Sequence, residues 1–406
     1  MRTPLCAFLL GSVLFFSIAG FSCEKEKVEI GEKKDDNTPA QKFTDTLRFA
    51  SYNVSMFRPQ SGSLALELEN PVNIQVQKIA AIIQKIRPDV LALMEFDYDA
   101  DGKSLELFRK NFLEKNQLSD DTIQYRYAYA VSSNTGVNSG QDLNNDGAVR
   151  LPDDAIGFGN FPGQYAFALL SRFPLDTANI RTFKNFKWKN MPGALLPRKP
   201  DGSSYYSNAA LDVLNLSSKN HVDIPVTLPD GSKIHVLLAH PTPPVFDGAE
   251  DRNGLRNHDE IRLFADYLSN ENYLVDDKGN PGGLPPGEKF VLMGDMNADP
   301  YDGDSAQDAI LQLLNHPRAH PEITFGAKIP ASEGGKEHNR SPGDTGDPSF
   351  DTSFFGLRID YVLPSADVKI INSCVWWPTR SSPDYILIEN GGASDHLPVF
   401  VDFTLE

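Results

Sequence analysis

Residues 291–297 read VLMGDMN. A short apolar run ends in a glycine, a carboxylate and, two places further on, an amide. On an extended segment Asp295 and Asn297 project to the same side, so the run reads as a buried strand handing two polar groups to a cleft. Six other islands carry polar groups, most of them at the end of an apolar run: FASYNV with Asn53, LALMEF with Glu95, LLSRFPL with Arg172, LLAHP with His240, RIDYVLPS with Asp360, and SDHLPVF with Asp395 and His396. The groups are carboxylates, amides and imidazoles. There is no thiol cluster and no glycine loop of the kind that cradles nucleotides. Hard oxygen ligands of this kind suit Mg²⁺ or Mn²⁺, and the combination points to metal-assisted phosphoester hydrolysis.

As an ordered set, GDMN, RIDYVLPS and SDHLPV resemble the endonuclease/exonuclease/phosphatase family, the DNase I-like metallophosphoesterases. The resemblance runs from about residue 47 to 406. It implies an α/β fold, a four-layer α/β/β/α sandwich of two mixed β-sheets flanked by helices. It also implies roles: Asp295 positions or deprotonates the attacking water, Asn297 contacts the phosphate, and Asp360 pairs with His396. His240 matches the family's second active-site histidine, as an acid for the leaving oxygen or as a phosphate contact. The family reaches nucleases, sugar- and inositol-phosphate phosphatases and sphingomyelinases, so it fixes the reaction class better than the substrate.

The residues themselves support part of this. Glu95, held stiffly at a strand end, is the principal metal-ligand candidate, and Asp395 completes the metal site. Asn53 would help hold the metal or orient a phosphate oxygen. His396 needs a partner to fix its tautomer, and its role as base or as cationic stabiliser stays open. Arg172 either steadies a phosphate or caps a sheet. Lys219 and His221 in SSKNHVD are candidates for the cleft wall. His258, at the start of a helical pattern, is a candidate substrate contact, and His235 reads as structural.

A separate metal signal lies at 142–153, DLNNDGAVRLPD. Asp142, Asn144 and Asp146 take the first, third and fifth places of an EF-hand-like loop, Gly147 the sixth, Ala148 the backbone-carbonyl place and Asp153 the twelfth. The pattern predicts a structural Ca²⁺ site.

The N-terminus reads as an export signal. Arg2 precedes an apolar run over residues 5–22 that ends in small residues, and Cys23 follows at once. Residues 1–22 resemble a bacterial lipoprotein signal, with Cys23 as the lipidated N-terminus of the mature chain; the alternative is an uncleaved membrane anchor. Residues 23–46 read as a flexible tether and 47–406 as one large catalytic domain, because the islands are spread over it and must converge. The mature protein would be lipid-anchored at the outer membrane, with a cell-surface location open. Of three cysteines only Cys374 falls in the domain, so no internal disulfide is available, and it reads as a small buried hydrophobe.

Along the chain, strands are predicted at 47–54, 90–94, around the turn at 229–231, at 290–293, 358–363, 367–377 and 397–405. Helices are predicted through Ile79–Ile86, Asn257–Leu268 and Ala306–Leu314. Net charge is −17, which opposes duplex DNA as sole substrate. One stretch departs from this: 181–200 holds six Lys or Arg and no acid, with Phe183, Phe186 and Trp188 between lysines. It reads either as a surface for stacking a phosphorylated ring or as an amphipathic hairpin. The leading function is a phosphodiesterase acting on nucleic acid, nucleotide or lipid head group. A phosphomonoesterase for an inositol or sugar phosphate and a non-catalytic binding module on the same fold are the alternatives.

Overall fold

The structure is a computed structural model that describes residues 45–117, 121–306, 308–338 and 343–405. The signal, Cys23 and the tether up to residue 44 lie outside the described residues. Residues Lys42–Glu406 make one compact unit, which holds both sheets and the whole described core.

The first sheet runs in the spatial order β10 (Val368–Val375), β11 (Val399–Leu405), β1 (Leu47–Met56), β2 (Val90–Phe96), β4 (Phe167–Ser171), β3 (Tyr127–Val131). The second runs β5 (Arg181–Thr182), β6 (His221–Thr227), β7 (Lys233–Ala239), β8 (Phe290–Asp295), β9 (Asp360–Pro364). Each sheet contains one parallel pair, β1 with β2 and β7 with β8, and is otherwise antiparallel. A parallel pair needs a crossover, and each has a helix. Ile74–Ile86 connects β1 to β2, and Arg252–Leu268 connects β7 to β8.

The first of these helices forms for local reasons. Asn73 caps it by accepting from the Val76 amide, and Val76, Ile79, Ile82, Ile83 and Ile86 are buried at helical spacing. Arg87 ends it in the left-handed region and Pro88 prevents continuation. The two sheets pack face to face through β1 and β2 against β8 and β9. Those four strands carry Asn53, Glu95, Asp295 and Asp360 at their ends, and β11 follows directly after His396.

Three expectations change. The helix predicted at 306–314 is only Leu311–Leu314. β3, β4 and β5 were not anticipated. The basic stretch is no stacking surface: Phe183, Phe186 and Trp188 are buried, and Trp188 Nε1 donates to Asp259 at 2.7 Å. Phe183 packs edge-on to Tyr267 and Trp188 to Tyr206. Lys187 reaches the Val213 carbonyl and Lys189 pairs with Asp212. The rings serve the core while the ammonium groups hold neighbouring loops.

Candidate active site

At the cleft the strands leave their extended path abruptly. Ser55, Glu95 and Asn297 adopt φ of 46°, 56° and 51°, in the left-handed region that non-glycine residues seldom occupy. The turns redirect side chains that would otherwise continue the strand alternation, and such strain gathers where surrounding structure enforces it. Gly294 explains why GDMN begins with glycine. Its φ is 153°, and a Cβ there would sit 1.9 Å from the carbonyl oxygen of Ala239. The close approach seats Asp295 beside His240, the residue after Ala239.

Asp295 is the hub. It is 1 % exposed. One carboxylate oxygen accepts from the Asn297 amide at 2.9 Å. The other accepts from Asn53 Nδ2 at 3.0 Å, and lies 3.5 Å from His240 Nε2 and 3.8 Å from His396 Nε2. Burial raises its proton affinity well above that of an ordinary aspartate, His396 opposes the rise and Asp360 adds to it. Asn297 Nδ2 donates to the Pro241 carbonyl.

His396 Nδ1 donates to Asp360 Oδ2 at 2.8 Å. Burial alone would lower the imidazole pKa, but the Asp360 and Asp295 carboxylates overcome this and lift it to about 10. His396 is therefore a cation at neutral pH. Asp360 is itself fixed, since Thr352 Oγ donates to Oδ2 at 2.8 Å. The same hydroxyl accepts from the amides of Ile359 and Asp360. His240 is the opposite case: burial, with Lys219 and His396 nearby, holds its pKa well below the usual value. Its Nδ1 is buried without a partner, which fits a neutral ring carrying its proton on Nε2. In that state the Nε2 proton faces the Asp295 oxygen 3.5 Å away.

The donor set for a cation lies on the neighbouring side. The Glu95 carboxyl is pushed up by burial, with His396 and Lys219 opposing and Asp395 adding to the rise. Asp395 Oδ1 accepts from Ser55 Oγ at 2.6 Å, and the Ser55 amide donates to Asn53 Oδ1 at 3.1 Å. The Glu95 and Asp395 carboxylates beside an amide oxygen fit a hard divalent ion, which would offset the desolvation of Glu95. Asp295, Asp360 and His396 also bring ligand atoms within 4.8 Å of one another. In that trio, however, the protonated imidazole already supplies the positive charge.

Lys219 belongs in this cleft. It is 5 % exposed, and burial pushes its ammonium down against the pull of Glu260, Glu95 and Asp295. The segment is held from outside: the Asn134 backbone N–H donates to the Lys219 carbonyl at 3.0 Å, and a Cβ on Gly157 would meet the Ser218 carbonyl oxygen at 1.8 Å. His221 instead is core, between Ser217 and the Glu260 carbonyl. Ser55, Thr352 and Ser394, whose hydroxyl donates to the Asn53 carbonyl, were missed, and no local pattern marks them.

Other expected residues stand elsewhere. Arg172 pairs with Asp89 at 2.7 Å, at the opposite end of β2 from Glu95. It caps the sheet. His258 sits between Asp259 at 3.0 Å and Asp308 at 3.5 Å, neither of them a cleft residue. In the 142–153 loop, Asp142 accepts the amides of Asp146 and Gly147, Asn144 accepts that of Asp146, and Asp146 accepts that of Ala148 and pairs with Arg150. Asp153 turns to solvent, and the ligand oxygens of Asp142, Asp146 and Asp153 do not gather. Buried Asp154 closes the loop instead, accepting the Leu143 and Arg150 amides. Burial pushes the Cys374 thiol up to about 11, which suits a packing role.

A family model described as endonuclease/exonuclease/phosphatase matches residues 50–396. The chain belongs to that family. It is a metal-dependent phosphoric ester hydrolase. No curated protein matches the sequence. Among solved structures it is similar to an endonuclease/exonuclease/phosphatase from Beutenbergia cavernae, with 16 % identity, 89 % of this chain and 72 % of that chain covered, and a TM-score of 0.47. It is similar to sphingomyelinase C from Streptomyces griseocarneus, with 16 % identity, 89 % and 100 % covered, and a TM-score of 0.45. It is also similar to the human Nocturnin catalytic domain, with 14 % identity, 89 % and 95 % covered, and a TM-score of 0.44. Likenesses of this degree select no substrate.

The Asp360–His396 pair carries a kinetic prediction. His396→Gln should lower kcat by about 10²–10⁴-fold, the span of a positioned proton-bearing group. Asp360→Asn should also lower it, and the double variant should be no slower than His396→Gln alone. Effects that multiply in the double variant would show that the two act independently.

Proposed function

We propose that the protein hydrolyses phosphodiesters, using Mg²⁺ or Mn²⁺ held by Glu95, Asp395 and Asn53. The observation that carries the reading is the buried line Asp360, His396, Asp295, with His240 on the other flank of Asp295. When bound, the metal neutralises a phosphate oxygen and lowers the charge barrier to attack. Asp295, oriented by Asn53, Asn297 and His240 and raised in proton affinity, accepts the proton of the attacking water. The His396 cation, fixed by Asp360, stabilises the charge that grows on the phosphate oxygens. Lys219 and Asn297 orient the phosphate.

Charge balance favours a diester. Glu95, Asp295, Asp360 and Asp395 bring four negative charges. A divalent ion and His396 return three, and Lys219, held down by burial, adds at most one. The cleft so loaded lies between −1 and 0, which receives a monoanion more readily than the near-dianion of a monoester. With either metal, bis(p-nitrophenyl) phosphate should exceed p-nitrophenyl phosphate in kcat/KM by roughly tenfold, the effect of about 1.4 kcal/mol in the transition state. EDTA should abolish both. Preference for the monoester would favour the phosphatase reading.

The export reading belongs here too: a chain anchored through a lipid on Cys23. Palmitate fed to the producing cells should label the wild-type protein and not Cys23→Ser. Equal labelling of both would remove the anchor from the account.

A further inference from the structure

A cavity of about 730 Å³ opens at the end of the first sheet opposite the catalytic cleft. Its lining includes Arg87, Arg109, Arg126 and Arg172, with Thr122 and Gln124. Among the described residues Glu114 is the one acid in the lining, and Asp89 is paired with Arg172. Four guanidinium groups against two carboxylates make a positive pocket on a chain of net charge −17. Its position follows from the sheet register. Arg87 and Arg172 flank the start of β2 at Val90, whereas Glu95 is five residues on, about 16 Å away at 3.3 Å per residue.

The arginines are not used up by the fold. Arg126 is exposed and makes no ion pair among the described residues. Arg87 spends one Nη on the Thr122 carbonyl at 3.2 Å. Arg109 gives Nη2 to the Tyr125 carbonyl, while its Nε is buried and donates to nothing. A buried guanidinium N–H without an acceptor is costly and calls for one from outside the protein. Planar donors converging on a roomy, polar hollow suit tetrahedral oxyanions.

We propose that this cavity is a second, non-catalytic site that binds a phosphate-bearing anion. Lipid head-group phosphate is the source the topology favours. β1 starts at Leu47 beside the start of β2, so the chain leading back toward Cys23 joins the domain at the cavity end, and the catalytic strand ends point the other way. Only this choice of source rests on the anchoring reading; the anion site stands without it. A domain seated by these arginines would lie with its cleft facing away from its own anchoring surface.

The test uses the compact unit Lys42–Glu406, which contains its own core, in EDTA so that the cleft turns nothing over. Vesicles of phosphatidylglycerol and phosphatidylcholine should sediment the wild type, and phosphatidylcholine alone should not. Arg87→Glu/Arg126→Glu should cut the vesicle partition by roughly tenfold or more, as expected for two basic residues at an anionic surface. Both substituted side chains are exposed, so melting temperature and metal-dependent turnover should be unchanged. Inorganic pyrophosphate, followed by calorimetry, is the second probe. Pyrophosphate binding that the double variant loses, without vesicle binding, supports the site and assigns it to a free phosphate ligand. Binding of neither probe, or equal binding by wild type and double variant, overturns the proposal.

Discussion

One buried hydrogen bond holds the chemistry together. Asn53 at the end of β1 donates to Asp295 at the end of β8 across 3.0 Å, and the two strands belong to different sheets. Neither side chain has water to fall back on, so breaking the bond would strand an amide and a carboxylate in the interior. Sheet packing therefore sets the site's geometry. Any slide of one sheet over the other would separate the Glu95 and Asp395 side of the cleft from the Asp295 and His240 side. The left-handed turns at Ser55, Glu95 and Asn297 fit this picture, being local strain maintained by a core that cannot relax around it.

The site then sorts its charges by environment. Two histidines lie within 4 Å of the same Asp295 oxygen and take opposite protonation states. His396 has Asp360 behind it and is cationic; His240 has an unpartnered Nδ1 behind it and is neutral. The difference lies in what supports each ring, and it separates a cation from a neutral imidazole without any change of residue type.

Much of this was legible because it is local. Asp295 and Asn297 two apart on a strand and Glu95 after LALM announce strand ends, an Asp-His dipeptide just before an apolar run announces a strand start, and the two sheets gather them. Residues that reach the site through distant packing were not legible. Thr352 fixes Asp360 from an irregular loop, and Ser55 joins Asn53 to Asp395 across 340 positions of sequence. Lys219 was legible as a cleft-wall candidate in the polar stretch SSKNHVD, and it stands near Glu95 and Asp295. Arg172 misled because a strand has two ends. Its apolar run matches the others, but β4 is antiparallel to β2, which carries it to the far edge. The aromatic–lysine stretch misled for a related reason: alternation shows which side chains differ and does not show which face is buried. In the 142–153 loop the spacing of Asp142, Asn144 and Asp146 was correct as a turn, but the burial of Asp154 rather than Asp153 decided which carboxylate faces inward.

The central claim is that Glu95 and Asp395 hold the metal while His396 is a cation outside its ligand set. Calorimetric titration of Lys42–Glu406 with Mn²⁺ tests it most directly. Glu95→Gln and Asp395→Asn should each weaken binding by at least about tenfold, and His396→Gln should bind as well as wild type or better, having lost a competing positive charge. Loss of Mn²⁺ binding in His396→Gln, with Glu95→Gln unaffected, would place the metal in the Asp295, Asp360 and His396 trio and contradict the account.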